Sequence, residues 1–545
     1  MCDRRSAYAF RFYFVKILNA DCGWRGGYTM DKILQVVEQV NSYINGIVWG
    51  WPMVILILGT GILLTVRTKV MQVRKFKTSV QETIVPTFKS VGKKRISEKE
   101  NSISPFEAFA TAISGTVGTG NIIGVTSAIM TGGPGAVFWM WVSAFFGMIT
   151  NYSENLLGMY FRKKSVSGDF AGGPMYYLSE GLPMQAKSEK GKSFMKKLGL
   201  VLGIMAAVFC SFAAIGMSGA QTNKIALTFQ GVLPNANAKT VSLVVGIVVS
   251  IVLAIIIIGG VKRIGRACSI LVPFMSVIFI LMALIIIIAN IDMIGTAFAL
   301  IFKNIFSFEA GIAGVGGYAF SKIIQKGLAR GVFSNEAGLG SSVIAHSASE
   351  AREPLKQGFW GIFEVFFDTF IICTLTALVI LVSFGDNFEL LYNSSYVDTQ
   401  VSMLAFNKQF GVFGTAIYAI IIPLFGFTTI LAWSYYGEKA VEFLFRPAGD
   451  KARALAILVF KIIYVLLVIV AAVMNGELAW AISDTCNGLM ALPNLIGLVL
   501  MSGLIVKLTK NYFDRKKGLD VEPMLSAYPE VNAQFIADEE AGSEE

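Results

Sequence analysis

From Ala108 to Ser153 the chain carries no charged residue, yet inside that run stands Ser114-Gly-Thr-Val-Gly-Thr-Gly-Asn-Ile-Ile-Gly124. An uncharged run this long belongs in a bilayer, but its content is wrong for a plain spanning helix. Gly115, Gly118 and Gly120 each weaken a helix by roughly 1 kcal/mol relative to alanine. Asn121 must find a hydrogen-bond partner away from water. Irregular backbone at membrane depth survives only where protein buries it or it lines a cavity. A helix broken there frees N–H groups and carbonyls, which suit an anionic head group and a small cation respectively. Close helix packing would account for the glycines alone. Asn121 and the hydroxyls of Ser114, Thr116 and Thr119 go beyond what packing needs.

The chain as a whole agrees with a membrane solvent. Of 545 residues, 54% are hydrophobic and only 15% charged, the balance of a polytopic membrane protein. Candidate spans fall at 47–66, 108–130, 136–153, 198–223, 240–261, 267–291, 360–385, 410–437, 454–476 and 485–506. Most reach the ~20 residues that a bilayer requires. An eleventh, 331–349, is weaker because it holds Ser334, Asn335, Glu336 and several glycines. The expected fold class is therefore an all-α integral membrane protein of about eleven transmembrane helices.

The net charge of +10 does not indicate nucleic acid, because the basic residues are not spread as a patch. They crowd 67–99 (with Lys93, Lys94 and Arg95), 162–197, 262–266, 352–356, 446–453 and 507–517, whereas 386–398 carries Asp386, Glu389 and Asp398. The positive-inside rule then puts every basic loop, and the C-terminus, in the cytoplasm and the N-terminus outside. Cys2, Cys22, Cys210, Cys268, Cys373 and Cys486 lie far apart with no metal-ligand spacing, so neither a disulfide framework nor a zinc site is indicated. His346 is the only histidine and is expected at a helix end near the cytoplasm in an interfacial role. Residues 1–29 are basic and aromatic without a signal-peptide pattern. Met30 opens a polar helix and reads as the more natural start, which makes the upstream stretch a candidate misassigned start.

Two segments overlay at a fixed offset. Ile113-Ser-Gly-Thr-Val-Gly-Thr-Gly-Asn121 and Phe333-Ser-Asn-Glu-Ala-Gly-Leu-Gly-Ser341 share Ser, Gly and Gly in register, and Pro134 and Pro354 keep the same spacing. The first copy runs from inside to outside and the second from outside to inside. That is the pattern of a five-plus-five inverted repeat with two discontinuous helices, preceded by one extra helix. Paired interrupted helices at matching positions are the best sequence pointer to a transport site. The expected division is an N-terminal extension (1–46), an extra span (47–66), a basic cytoplasmic loop (67–104), a first repeat (105–291), an outer connection (292–326), a second repeat (327–507) and a cytoplasmic tail (508–545).

Gly118-Thr-Gly-Asn-Ile-Ile-Gly-Val-Thr-Ser-Ala-Ile-Met-Thr-Gly-Gly-Pro-Gly-Ala-Val-Phe-Trp-Met-Trp141 closely resembles the signature of the alanine-or-glycine:cation symporter family. The stretch from Gly316 to Ser341 looks like its second hallmark, and the similarity runs from about Met30 to Lys510. The resemblance implies a leucine-transporter-like fold in a bacterial plasma (inner) membrane. It implies import of alanine or glycine by sodium symport, with a glutamine carrier as the near alternative and a proton-coupled carrier or a non-transporting receptor further off. No cofactor is expected beyond co-transported sodium, no nucleic acid, and a monomer in lipid.

The same resemblance assigns a site. The substrate carboxylate is expected on the helix end at Gly118, Thr119, Gly120 and Asn121, where amide N–H groups and the positive helix end face it. Gln221 is expected to reach the substrate, Trp433 and Thr429 to wall its side chain, and Phe333, Gly338 and Gly340 in the second break to close the pocket. For sodium, the hydroxyls of Thr428 and Thr429 join the carbonyls of Ser114, Val117 and Phe425, with Thr116 and Asn121 beside them. Neutral oxygens suit a monovalent cation, whereas calcium sites normally include carboxylates. The residue reading alone leaves these threonines free to back-bond to their own helix.

Glu154, Glu336, Glu364, Asp368 and Asp484 fall within spans, where acids default to functional hypotheses. Glu154 and Asp484 are expected near helix ends. Glu364 and Asp368, one turn apart, are expected to pair structurally, with Lys461 as candidate partner or as a snorkelling residue, rather than to carry a proton. Nothing resembles a phosphate loop or a nucleophile with its base, which argues against an enzyme.

Overall fold

The computed structural model describes residues 30–89, 102–165, 168–306, 316–385, 396–474 and 476–542. Expectations on residues 1–29, on Lys93–Arg95 and on Asp386 and Glu389 lie outside them. The described chain is helical apart from one small antiparallel hairpin, β1 (Lys163–Lys164) with β2 (Phe170–Ala171).

Helix α1 (Met30–Val48) leads into α2 (Trp51–Arg67), and α3 (Phe76–Lys89) follows. Helix α4 (Pro105–Thr116) starts firmly: the Ser104 hydroxyl accepts from the Glu107 N–H, the Glu107 carboxylate accepts from the Ser104 N–H, and proline takes the first position. It stops at the glycines. A single tight turn (Thr119–Asn121) separates it from α5 (Ile123–Gly132), and the axis bends by 55°. Helix α6 (Gly135–Tyr160) is buried along most of its length, including Asn151, Glu154 and Asn155. Next come α7 (Glu189–Val232), α8 (Ala238–Ile257), α9 (Gly260–Ala289) and α10 (Ile294–Lys303).

Helix α11 (Gly316–Asn335) ends in a second break. Glu336, Gly338 and Gly340 take φ of 56°, 96° and 73° before α12 (Ser342–Ser347) resumes. The remaining helices are α13 (Pro354–Phe384), α14 (Asp398–Phe410), α15 (Val412–Leu444), α16 (Asp450–Val473), α17 (Gly476–Lys516) and α18 (Pro529–Gly542).

Helix α7 packs on α15, α16 and α17, and α6 packs on α11 and α13. The arm α4 is enclosed by α9, α12 and α15. The outward faces of α8, α9 and α16 leave Ile255, Ile270, Leu458 and Leu466 exposed to the surroundings, as lipid contact allows. Among the described residues, seven helices are long and apolar enough to cross a membrane, and two bent pairs raise that number to nine. The expected spans at 136–153 and 331–349 fall on α6 and on α11 with α12, and neither is among them. Both hold polar side chains that neighbouring helices bury, which lowers their hydropathy without exposing them to lipid.

Candidate substrate and sodium site

The first break is stitched by side chains. The Asn121 amide oxygen accepts from the Gly118 N–H at 2.9 Å. The Gln221 amide oxygen, from the C-terminal third of α7, accepts from both the Thr119 N–H (3.1 Å) and the Thr119 hydroxyl (2.7 Å). So two of the freed donors meet neutral acceptors, and Asn121 and Gln221 are fixed by the backbone they serve. The Asn121 amide nitrogen donates to Asp368 at 2.5 Å, and Ser334 and Thr369 donate to the same carboxylate. Asp368 thereby joins α13 to both breaks.

Helix α15 closes on the break from the other side. The Thr429 hydroxyl lies 2.9 Å from the Ser114 carbonyl and 3.0 Å from that of Phe425. The Thr428 hydroxyl lies 3.0 Å from the Leu424 carbonyl and 3.1 Å from that of Phe425. The approach is as close as glycine permits: a Cβ on Gly118 would sit 2.4 Å from the Thr429 oxygen. Ser114, Phe425, Thr428 and Thr429 are thus gathered, with Val117 buried beside them. The Thr116 hydroxyl back-bonds to Ile113. This is a set of neutral oxygens, and among the described residues no group of three or more His, Cys, Asp or Glu is placed to hold a metal.

Phe333 covers the break, and a Cβ on Gly120 would touch its ring at 3.6 Å. Its ring also packs on Trp480 at a centroid distance of 5.0 Å, and Arg330 lies over both rings. Trp433 donates to Glu336 at 2.9 Å, which ties α15 to the second break. Gly338 and Gly340 turn elsewhere: a Cβ on the first would meet Leu495, and on the second Pro174 and Asn494.

The acidic residues differ from expectation. Lys461 pairs with Glu438 at 2.9 Å and not with Glu364 or Asp368. Glu154 is not at a surface end of its helix but fully buried, accepting from the Gly338 N–H (3.0 Å) and Asn494 (2.5 Å). Asp484 faces Arg330 at 3.7 Å. His346 is fully buried rather than interfacial, 2.9 Å from Glu364, with the Gln357 amide on its other nitrogen. Its helix α12 is only six residues long and packs against α4 and α6, so its end is covered. Sequence reasoning missed Asn494 and Asp169 outright. The signal for the first was an asparagine inside an apolar helix; the second sits in a loop and carried none.

Residues 34–525 match the model of the sodium:alanine symporter family. The chain belongs to this family. It is 39% identical to the sodium/alanine symporter AgcS of Methanococcus maripaludis over 485 residues, 89% of this chain and 99% of that one. It is 34% identical to the probable sodium/glutamine symporter GlnT of Bacillus subtilis, over 89% of this chain and 92% of that one. In fold it is similar to the crystal structure of MhsT in complex with L-phenylalanine, with a TM-score of 0.51 at 14% identity, over 76% of this chain and 99% of that one. This family member is therefore a transporter with a leucine-transporter-type helical fold in a membrane.

Proposed function

We propose that the chain imports a small neutral amino acid, alanine or glycine, together with sodium by alternating access. In this reading eleven spans form a five-plus-five inverted repeat behind one extra helix, with the N-terminus outside and the C-terminus in the cytoplasm. The observation that carries the proposal is the contact between the Thr429 hydroxyl and the Ser114 carbonyl at 2.9 Å. It brings two neutral oxygens from elements far apart in sequence to the edge of the broken helix. Sodium binds among Ser114, Val117, Phe425, Thr428 and Thr429. The substrate carboxylate takes the place of the Gln221 oxygen on Thr119, and Gln221 turns to offer its N–H₂ instead. Phe333 and Trp433 restrict the side chain, and each extra methylene excluded is worth about 1–3 kcal/mol.

The near-full-length likeness to a protein named as a sodium/alanine symporter supports this substrate. The likeness to one named as a glutamine carrier favours a second reading, in which the pocket extends past Phe333. Uptake of labelled alanine, glycine and glutamine into proteoliposomes, with and without a sodium gradient, tests both. Sodium-driven alanine uptake that glutamine fails to inhibit is expected. Uptake indifferent to sodium would overturn the symport reading.

A further inference from the structure

Where α6, α12 and α17 end, the chain past the last long helix folds back over the protein. Gly518, with φ of 78°, reverses it. Asn511 on α17 pins the returning strand, donating to the Glu522 carbonyl (2.8 Å) and accepting from the Met524 N–H (3.2 Å). The Ala527 N–H then donates to the Tyr160 carbonyl at the end of α6 (2.9 Å), and the Tyr528 hydroxyl donates to Glu180 (2.5 Å). Glu180 also pairs with Lys163 and Arg446. Burial raises its carboxyl, but Lys163, Tyr528 and Arg446 more than offset that and hold it below its ordinary value. Leu525 is fully buried and Phe535 nearly so.

Beneath the tail lies Arg162. Its guanidinium stands 4.1 Å from the ring of Phe170 on β2 and 5.6 Å from that of Phe535. Its donors reach the Ser349 (2.5 Å) and Ala351 (2.6 Å) carbonyls, just past the end of α12. A cation there suits the negative end of the helix. That same segment is joined to the foot of α4, because the Glu350 N–H donates to the Ile103 carbonyl at 2.8 Å. Beside β2, Asp169 pairs with Lys439 (2.9 Å) and accepts from Tyr435 (3.1 Å), both on the helix that carries Thr428 and Thr429. One continuous set of contacts therefore runs from the tail through Arg162 and the hairpin strands to the feet of both broken helices and to α15.

We propose that residues 519–542 are a strap that keeps this end of the transport path shut. Phe535 and Tyr528 press Arg162 and the hairpin strands onto the feet of α4 and α12, and substrate leaves at this end only when the strap lifts. The proposal rests on the transport reading above. Its test needs no transport, so either can fail alone. Purified full-length protein in lipid nanodiscs is compared with Phe535→Ala and with a chain ending at Gly518. Two quantities are followed: hydrogen exchange at 347–351, and the rate at which a maleimide modifies the native thiol of Cys268, which is 3.2 Å from the Ser114 hydroxyl. At least tenfold faster modification is expected in both variants, with faster exchange at 347–351. If the shortened chain does not fold, Phe535→Ala alone decides. Faster exchange with an unchanged thiol rate would make the tail a packing element and overturn the strap. No change in either quantity would overturn it as well.

Discussion

The two breaks start from related sequence and solve the same problem in opposite ways. In the first, the Gly118 and Thr119 amides meet the neutral oxygens of Asn121 and Gln221, and the break runs through extended backbone, with Gly118 at φ −119°. In the second, the Gly338 amide meets an oxygen of a buried acidic side chain that the protein itself supplies, Glu154, clamped by Asn494. The second also holds Glu336 at φ 56°, a conformation that costs a non-glycine residue about 1–3 kcal/mol. A helix start wants an anion. One break has its acceptor built in and fixed, a fully buried acidic side chain; the other is held by neutral amide oxygens, which in the proposed reading an incoming carboxylate displaces. In the proposed reading the difference separates a structural hinge from a binding site, although their motifs align.

The contrast is broken most severely at Gly118. Its added methyl would overlap the Thr429 oxygen at 2.4 Å, whereas one on Gly120 would make an ordinary contact with Phe333 at 3.6 Å. Sodium-driven alanine uptake by purified Gly118→Ala is expected to fall about a hundredfold or more, the loss of roughly 3 kcal/mol. Gly120→Ala should stay within about threefold. Equal losses would mean that the break tolerates no Cβ anywhere and that the α15 contact is incidental.

The carboxylate seat is probed by the ligand. If the Thr119 donors receive an anion in place of the Gln221 oxygen, alaninamide should compete with labelled alanine at least about thirtyfold less well than alanine itself, since charge-assisted hydrogen bonds are about twice as strong as neutral ones. Matching inhibition curves would show that the first break, like the second, never exchanges its partner.

Sodium comes next in size. Thr429→Val keeps the shape and removes the oxygen beside the Ser114 carbonyl. The sodium concentration for half-maximal uptake should rise about tenfold, and the apparent alanine affinity should weaken with it, as coupled sites require. Thr428→Val should act more weakly, because its hydroxyl serves its own helix and faces the Met275 sulfur at 3.6 Å. A larger effect from Thr428 would reverse the assignment.

Much of this was legible in the sequence, for reasons that can be named. Glycines and an asparagine in an uncharged run have few stable settings in a bilayer, so the first break was visible from Ser114 to Gly124. The second was visible through its likeness to the first. What the sequence hid was pairing between helices. Asn121 points back to its own turn and across to Asp368, a choice that depends on where α13 passes. Lys461 offers itself in the sequence as a partner for Asp368 or as a snorkelling residue, and only the packing of the helices gives it Glu438. His346 looked interfacial because its neighbours Ala345 and Ser347 suggest a helix end, and it is the packing of that short helix against α4 and α6, with Glu364 and Gln357 of α13 on the ring, that buries it. The seat of Glu154 was hidden for the same reason, since Gly338 and Asn494 are remote in the chain.

That seat offers the last way to sharpen the comparison, with the smallest expected effect on transport. Glu154→Leu leaves the Gly338 N–H and the Asn494 amide buried without their acceptor, at about 1–3 kcal/mol for each group. The thermal midpoint of the purified protein should therefore drop by several degrees. Glu154→Gln should recover most of it, because one amide oxygen can still serve both donors. Neither change touches the donors of the first break. Among molecules that remain folded, the alanine concentration for half-maximal binding should stay within about threefold of the parent. A large loss of affinity in Glu154→Gln at an unchanged midpoint would mean that the second break also handles substrate charge, and the division between hinge and binding site would have to be given up.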